Sequence, residues 1–205
     1  MTKGRLEAFS DGVVAILITI MVLELRAPHG SDWAALKPVI PGLLTYVLSF
    51  VFLGIYWNNH HHMLHAAVHI NGKVLWANQH LLFWLSLVPF VTGWMDENHF
   101  APVPVAAYGV VLFLAAMAYW LLKNTLIEAQ GTGSKLAAAL GDDVKGKISP
   151  LLYLVAIAAA SIDRRISLAI YALVALMWLV PDPRIESKLA RRGETHEAEQ
   201  SRKDV

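Results

Sequence analysis

Cysteine is absent from this 205-residue chain, so no disulfide framework and no cysteine-ligated zinc site exists. Charge is scarce as well. Asp, Glu, Lys and Arg make up 16% of the residues, against about a quarter in an ordinary soluble domain. The basic and acidic residues nearly cancel, leaving a net charge of +1. No basic face is available to neutralise phosphates, which excludes nucleic acid as a partner. No small-residue cleavage site marks the first apolar segment, which carries Asp11 and Glu24 at its edges and reads as a retained helix, not a signal peptide. Also missing are an internal repeat, a low-complexity tract, a phosphate-cradling glycine loop and any carboxylate near the centre of an apolar segment. What the chain has in quantity is apolar side chains: 56% of all residues, with a mean hydropathy of +0.48, gathered in blocks. That pattern predicts an all-α integral membrane protein.

A spanning helix needs roughly 20 mostly apolar residues. Six segments qualify: about Leu6–Leu25, Pro38–Trp57, Val74–Trp94, Val103–Leu122, Ile148–Ile162 and Ile166–Val180. The last two hold about 15 apolar residues each, roughly 22 Å of helix, and are joined by Asp163-Arg164-Arg165, whose long side chains reach outward to an interface. They read as a tight spanning hairpin, with a shallow pair as the alternative. The N-terminal stub, residues 58–73, residues 123–147 and the tail beyond Pro181 hold 13 of the 17 lysines and arginines. By the positive-inside rule these parts are cytoplasmic, both termini included. Gly131-Thr132-Gly133-Ser134 with Gly141-Asp142-Asp143 reads as a flexible cytoplasmic connection. The chain thus divides into a six-helix membrane domain over residues 1–181 and a charged, mobile cytoplasmic tail over residues 182–205, in a multi-pass protein whose direct partner is the lipid bilayer.

The first segment starts with Arg5-Leu6-Glu7-Ala8-Phe9-Ser10-Asp11. Ionisable groups at membrane depth are costly, and such a set is a functional-site hypothesis by default. At about 100° per residue, Ile16, Thr19, Ile20 and Leu23 fall on one face, and Arg5, Phe9 and Gly12 continue the stripe toward the cytoplasm. Ser10 and Asp11 lie on another flank with Ala15, Ile18 and Val22. Spacing alone favours a lipid-facing helix, with Thr19 bonded back to the Ala15 carbonyl, over a pore wall. The ionic flank is more informative, because Asp11 must find partners across helices. Candidates are Trp57, His60, His61 and His62 at the end of the second segment, and Asn78 and His80 in the third. The plain reading of that set is a staple joining three helices.

Arg5-x-x-x-Phe9-Ser10-Asp11 at the entry to the first of six helices resembles the signature of the lysosomal potassium channel family called transmembrane protein 175, in its shorter prokaryotic form. Tyr56-Trp57-Asn58-Asn59-His60-His61, and Asn78 through Leu87-Val88-Pro89-Phe90-Val91-Thr92, resemble the family's other common segments. The resemblance implies a potassium-permeable cation channel in a prokaryotic plasma membrane. It implies a homotetramer in which each first helix lines a central pore, with monovalent cations permeating and no cofactor. Onto this sequence it maps a hydrophobic constriction at Ile16, Ile20 and Leu23, a selectivity role for Thr19, and a structural network of Arg5, Phe9, Ser10, Asp11, Trp57, His61 and Asn78. No filter segment of backbone carbonyls of the Thr-Val-Gly-Tyr-Gly kind occurs, so the constriction would act by narrow apolar rings that exclude water until widened.

Two other classes compete. His61, His65 and His69 at i, i+4 and i+8 suit a histidine-rich membrane metalloenzyme of the di-iron hydroxylase type, since imidazole binds iron and zinc. Such a site also needs separated clusters and supporting carboxylates, and residues 58–73 contain no Asp or Glu. A secondary transporter would show paired halves with broken helices. The single deep proline is Pro89, which reads as a kink in the third helix.

Overall fold

A computed structural model describes residues 2–131 and 143–179. The connection expected around Gly133, Ser134 and Gly141, and the tail expected to be mobile, lie outside the described residues. The described residues fold as six helical rods. Helix α1 spans Lys3–Leu23, α2 Ile40–Ala66, α3 Gly72–Ser86, α4 Val88–Glu97, α5 Pro102–Gln130, α6 Val144–Ala159 and α7 Arg164–Leu179, with α3 and α4 as two parts of one rod. A 3₁₀ turn, Trp33–Leu36, lies between α1 and α2. Among the described residues, four rods are long and apolar enough to cross a membrane: α1, α2, α3–α4 and α5.

Proline placement explains several boundaries. α2, α4 and α5 each carry a proline in the first turn, where a missing N–H costs nothing. The third rod was expected to kink at Pro89, and it breaks. Pro89 has no N–H to give the Leu85 carbonyl, so the ladder is interrupted. Leu87 N–H instead bonds the Trp84 carbonyl at 3.2 Å, and α4 restarts with Val91 N–H on the Leu87 carbonyl at 3.1 Å. Beside the break, the buried Ser49 hydroxyl lies 2.8 Å from Thr92 and 3.0 Å from Tyr108. That hydroxyl chain ties α2, α4 and α5 together.

Two helices run past the sequence boundaries. α2 continues to Ala66 and α5 to Gln130. Nothing in His60-His61-His62-Met63-Leu64 breaks a helix, so the histidines lie on α2 and not in a loop. The α2–α3 connection docks on the end of α5, where the Gln130 side chain accepts from Val68 and His69 N–H and donates to the His69 carbonyl.

α5 is the central post and packs on α3, α4, α6 and α7. Helices α6 and α7 have 16 residues each, about 24 Å of helix. The pair nonetheless crosses the height of the bundle. Asp143, just before α6, bonds Lys123 near one end of α5 at 3.1 Å. Arg164, at the start of α7, donates to the carbonyls of His99 and Phe100 beside the other end, at 3.0 and 3.2 Å. Those two carbonyls belong to consecutive residues with φ of 50° and 59°, left-handed values that non-glycine residues seldom adopt. The Arg164 guanidinium fastens that turn. Ser167 on the Ala156 carbonyl, and Trp178 on the Ser149 hydroxyl, stitch α6 to α7.

Tyr171 on α7 is buried and donates to the Val105 carbonyl of α5 at 3.0 Å. Its ring crosses directly over Gly109, where an added β-carbon would collide with the tyrosine hydroxyl. Gly109→Ala is therefore expected to push Tyr171 out and destabilise the α5–α7 contact by about 1–3 kcal/mol, as over-packing does. Thermal unfolding in detergent measures it, and an unchanged midpoint would contradict this packing.

Candidate functional site

α1 buries a single edge made of Leu6, Ser10, Val14, Leu17 and Met21. These recur every three or four residues, so they form one stripe against α2, α3 and α4. Most of the stripe is aliphatic, and Ser10 is the exception. Its hydroxyl donates back to the Leu6 carbonyl at 2.9 Å. With that hydrogen used, Ser10 can only accept, and it accepts from the Asn78 side-chain amide of α3 at 3.0 Å. The Asn78 carbonyl oxygen then faces Nε2 of His60 on α2 at 2.6 Å. The order of donors fixes the imidazole: Nε2 carries hydrogen and donates to Asn78. Ser10, Asn78 and His60 are 1%, 0% and 5% exposed. One uninterrupted relay thus joins three helices at the depth of the first signature residues.

Asp11 sits beside this relay, half-buried, and accepts from the Trp57 indole N–H at 2.9 Å. The Trp57 ring stacks on His61, and His61 stacks on His65. Of the residues expected in a network, the structure pairs Ser10 with Asn78 and, separately, Asp11 with Trp57, whose ring stacks on His61; the histidine bonded to Asn78 is His60 and not the expected His61. Arg5 and Phe9 stand apart on the exposed side of α1, and Arg5 makes no hydrogen bond or ion pair among the described residues. The buried histidine is His60, which the sequence pattern alone left among several candidates. Its signal was the phase of α2: Tyr56, His60, Met63 and Leu64 form the buried edge. His80, another candidate partner for Asp11, instead accepts from Trp84 at 2.9 Å. The Ser49–Thr92–Tyr108 cluster has no motif in the sequence; its signal is three hydroxyls within apolar spans, which need partners across helices.

The opposite face of α1 is open. Ile16, Ile20 and Leu23 are 58%, 40% and 80% exposed, and Thr19 shares their side. Thr19 does not bond Ala15 as expected; it donates to the Ile16 carbonyl at 2.9 Å. Among the described residues no three His, Asp or Glu side chains converge as a metal site would require.

The helices and the relay define a class: a polytopic α-helical membrane protein whose first helix is locked to the next two by polar contacts and leaves its other face free. A sequence model of the family described as the endosomal/lysosomal potassium channel TMEM175 matches residues 5–89, the stretch holding every member of the relay. A potassium channel of Chryseobacterium sp. (strain P1-3) is 53% identical over 189 residues, covering 92% of this chain and 98% of that protein. A potassium channel of Streptomyces collinus (strain DSM 40733 / Tue 365) is 30% identical over 190 residues, covering 86% and 91%. The crystal structure of a lysosomal potassium-selective channel TMEM175 homolog from Chamaesiphon minutus superposes with a TM-score of 0.73 at 27% identity, covering 87% of this chain and 96% of that one. The chain belongs to the TMEM175 family, a family of channels and not of enzymes.

Replacing Asn78 by Leu strands the Ser10 oxygen and the His60 N–H together, at about 1–3 kcal/mol for each unpaired buried group. Trp57→Phe removes a single bond from a half-buried carboxylate. Asn78→Leu is thus expected to lower the thermal midpoint well below that of Trp57→Phe. Equal midpoints for the two variants would contradict the relay's dominance.

Proposed function

We propose that this protein is a potassium-permeable channel of the plasma membrane in which four copies place the open faces of their first helices around a common axis. The observation that carries the reading is the division of α1 into two faces. One face is fully used inside the subunit, with Ser10 at its head. The other exposes Ile16, Thr19, Ile20 and Leu23 in a single line, in a member of a channel family. The same line carries the Thr19 hydroxyl at its middle and Arg5 toward one end, polar groups that a water-containing path accommodates more readily than lipid does.

The chemistry of Thr19 supports the reading further. A hydroxyl has one hydrogen and two acceptor pairs. Here the hydrogen is committed to the Ile16 carbonyl, so the oxygen presents acceptor character outward. Four such oxygens replace part of the water shell of a cation, while rings of Ile16, Ile20 and Leu23 above and below exclude water and close the path when narrow. A filter with so few dipoles discriminates modestly between potassium and sodium. The termini face the cytoplasm in this reading. Supporting it, Lys3, Lys73 and Lys123 make their contacts at one end of the bundle, with the His65 carbonyl, Glu128 and Asp143, while Arg26 pairs with Glu97 at the other.

Ion flux from liposomes, in potassium and then in sodium, tests the proposal. Ile16→Asn hydrates a ring and is expected to raise flux; no change in a protein that is still tetrameric refutes the constriction. Thr19→Val keeps the shape and removes the oxygen, and is expected to bring the potassium-to-sodium flux ratio toward unity. A ratio that Thr19→Val leaves intact would remove Thr19 from the path.

A further inference from the structure

The relay uses His60 and leaves His61 and His65 exposed on the same helix. Trp57, His61 and His65 are exposed and lie one turn apart each, on one line of the helix. Their rings form a column: Trp57 and His61 are 6.0 Å apart with planes at 27°, and His61 and His65 are 6.0 Å apart at 18°. We propose that His61 and His65 form a binding site for a divalent transition-metal ion of the zinc class on this face of α2.

Three features support that chemistry. Histidines four residues apart on a helix aim their nitrogens at one point, the geometry by which paired helical histidines hold zinc. Imidazole selects zinc, copper and nickel over the hard cations, and no Asp or Glu within residues 58–73 adds hard oxygen ligands. The scaffold is preformed, because α2 continues unbroken to Ala66, so binding orders only two exposed rings. These rings now lie face to face, and an ordinary rotamer change turns their nitrogens toward a shared ion. The other nearby imidazoles are engaged or off the line: His60 is held by Asn78, His80 by Trp84, His69 lies beyond the end of the helix, and His62 stands edge-on to His61, 5.7 Å away, about 100° round the helix from the His61–His65 line. Since no third His, Asp or Glu converges among the described residues, water completes the coordination sphere, leaving an open, exchangeable site. Binding also reaches α1: turning His61 toward an ion takes it from the face of Trp57, the residue whose N–H holds Asp11.

The test is calorimetric titration of the tag-free full chain in detergent with zinc ions, alongside thermal unfolding with and without zinc. The expected result is saturable binding that raises the wild-type unfolding midpoint by mass action. His61→Ala and His65→Ala should each lose both effects, while His62→Ala and His29→Ala keep them. Each variant's zinc shift is read against its own zinc-free midpoint, since His61→Ala also removes the stacking on Trp57. Absence of saturable binding in the wild type, or wild-type affinity in either His61→Ala or His65→Ala, overturns the site. Neither readout involves ion flux, so the result stands apart from the channel reading.

Discussion

A polar group inside hydrocarbon has no water to turn to, and the Ser10–Asn78–His60 relay is where this chain meets that constraint most directly. Each member is buried, each has its hydrogen-bonding capacity directed, and each belongs to a different helix. The relay therefore specifies depth and rotation at once. If α1 turned by one residue, Phe9 or Asp11 would replace Ser10 opposite the Asn78 amide, and the amide would lose its acceptor or face a half-buried charge. Aliphatic contacts cannot impose such a choice, since any of the apolar residues of α1 packs about as well as its neighbour. Packing supplies attraction between these helices, and the relay supplies register. With the register fixed, the outward direction of Ile16, Thr19, Ile20 and Leu23 is fixed as well.

The same constraint organises the rest of the bundle. Where Pro89 opens the ladder between α3 and α4, the Ser49–Thr92–Tyr108 hydroxyls pair close by in the interior. Where the α4–α5 turn adopts left-handed backbone at His99 and Phe100, Arg164 covers the carbonyls that turn exposes. Where Lys123 is nearly buried, Asp143 meets it while also accepting from the Gly146 N–H at the start of α6. No buried side-chain nitrogen or oxygen among the described residues is left without a partner. In lipid the alternative to a partner is a penalty of several kcal/mol per group, so these contacts are conditions of folding more than additions to it.

Much of this was legible in the sequence because its signals are strong ones. Six apolar blocks gave six rods, Pro89 marked the break, and the periodicity of the first segment separated the stripe of Ile16, Thr19, Ile20 and Leu23 from the flank of Ser10 and Asp11. The flank's partners were narrowed to residues near the ends of α2 and α3, and the structure took its pairs from that set. What stayed hidden was phase. In an almost wholly apolar helix the hydrophobic periodicity is shallow, so the choice of His60 over His61 could not be made before the course of α2 to Ala66 was known. The same shallowness concealed which face of α5 receives Tyr171, although Gly109 was visible as a gap in a run of larger residues. Side-chain bonds to nearby carbonyls, such as Thr19 to Ile16 and not Ala15, depend on rotamers that spacing does not determine.

The restraint on α1 is uneven, and this bears on how its open face behaves. All of its side-chain bonds to other helices cluster in the first turns, at Ser10 and Asp11, joined by Lys3 on the His65 carbonyl. From Gly12 to Leu23 its side chains form no hydrogen bond to another described helix, and its hold on the bundle is aliphatic, through Val14, Leu17 and Met21. The next polar tie, Arg26 to Glu97, lies beyond the helix end and is exposed, where an ion pair contributes little. Aliphatic interfaces resist separation, but they lack the directional bonds that resist small sliding and rotation. The relay thereby does two things: it fixes which residues of α1 face away from the bundle, and it leaves the far half of the helix held by aliphatic contacts alone.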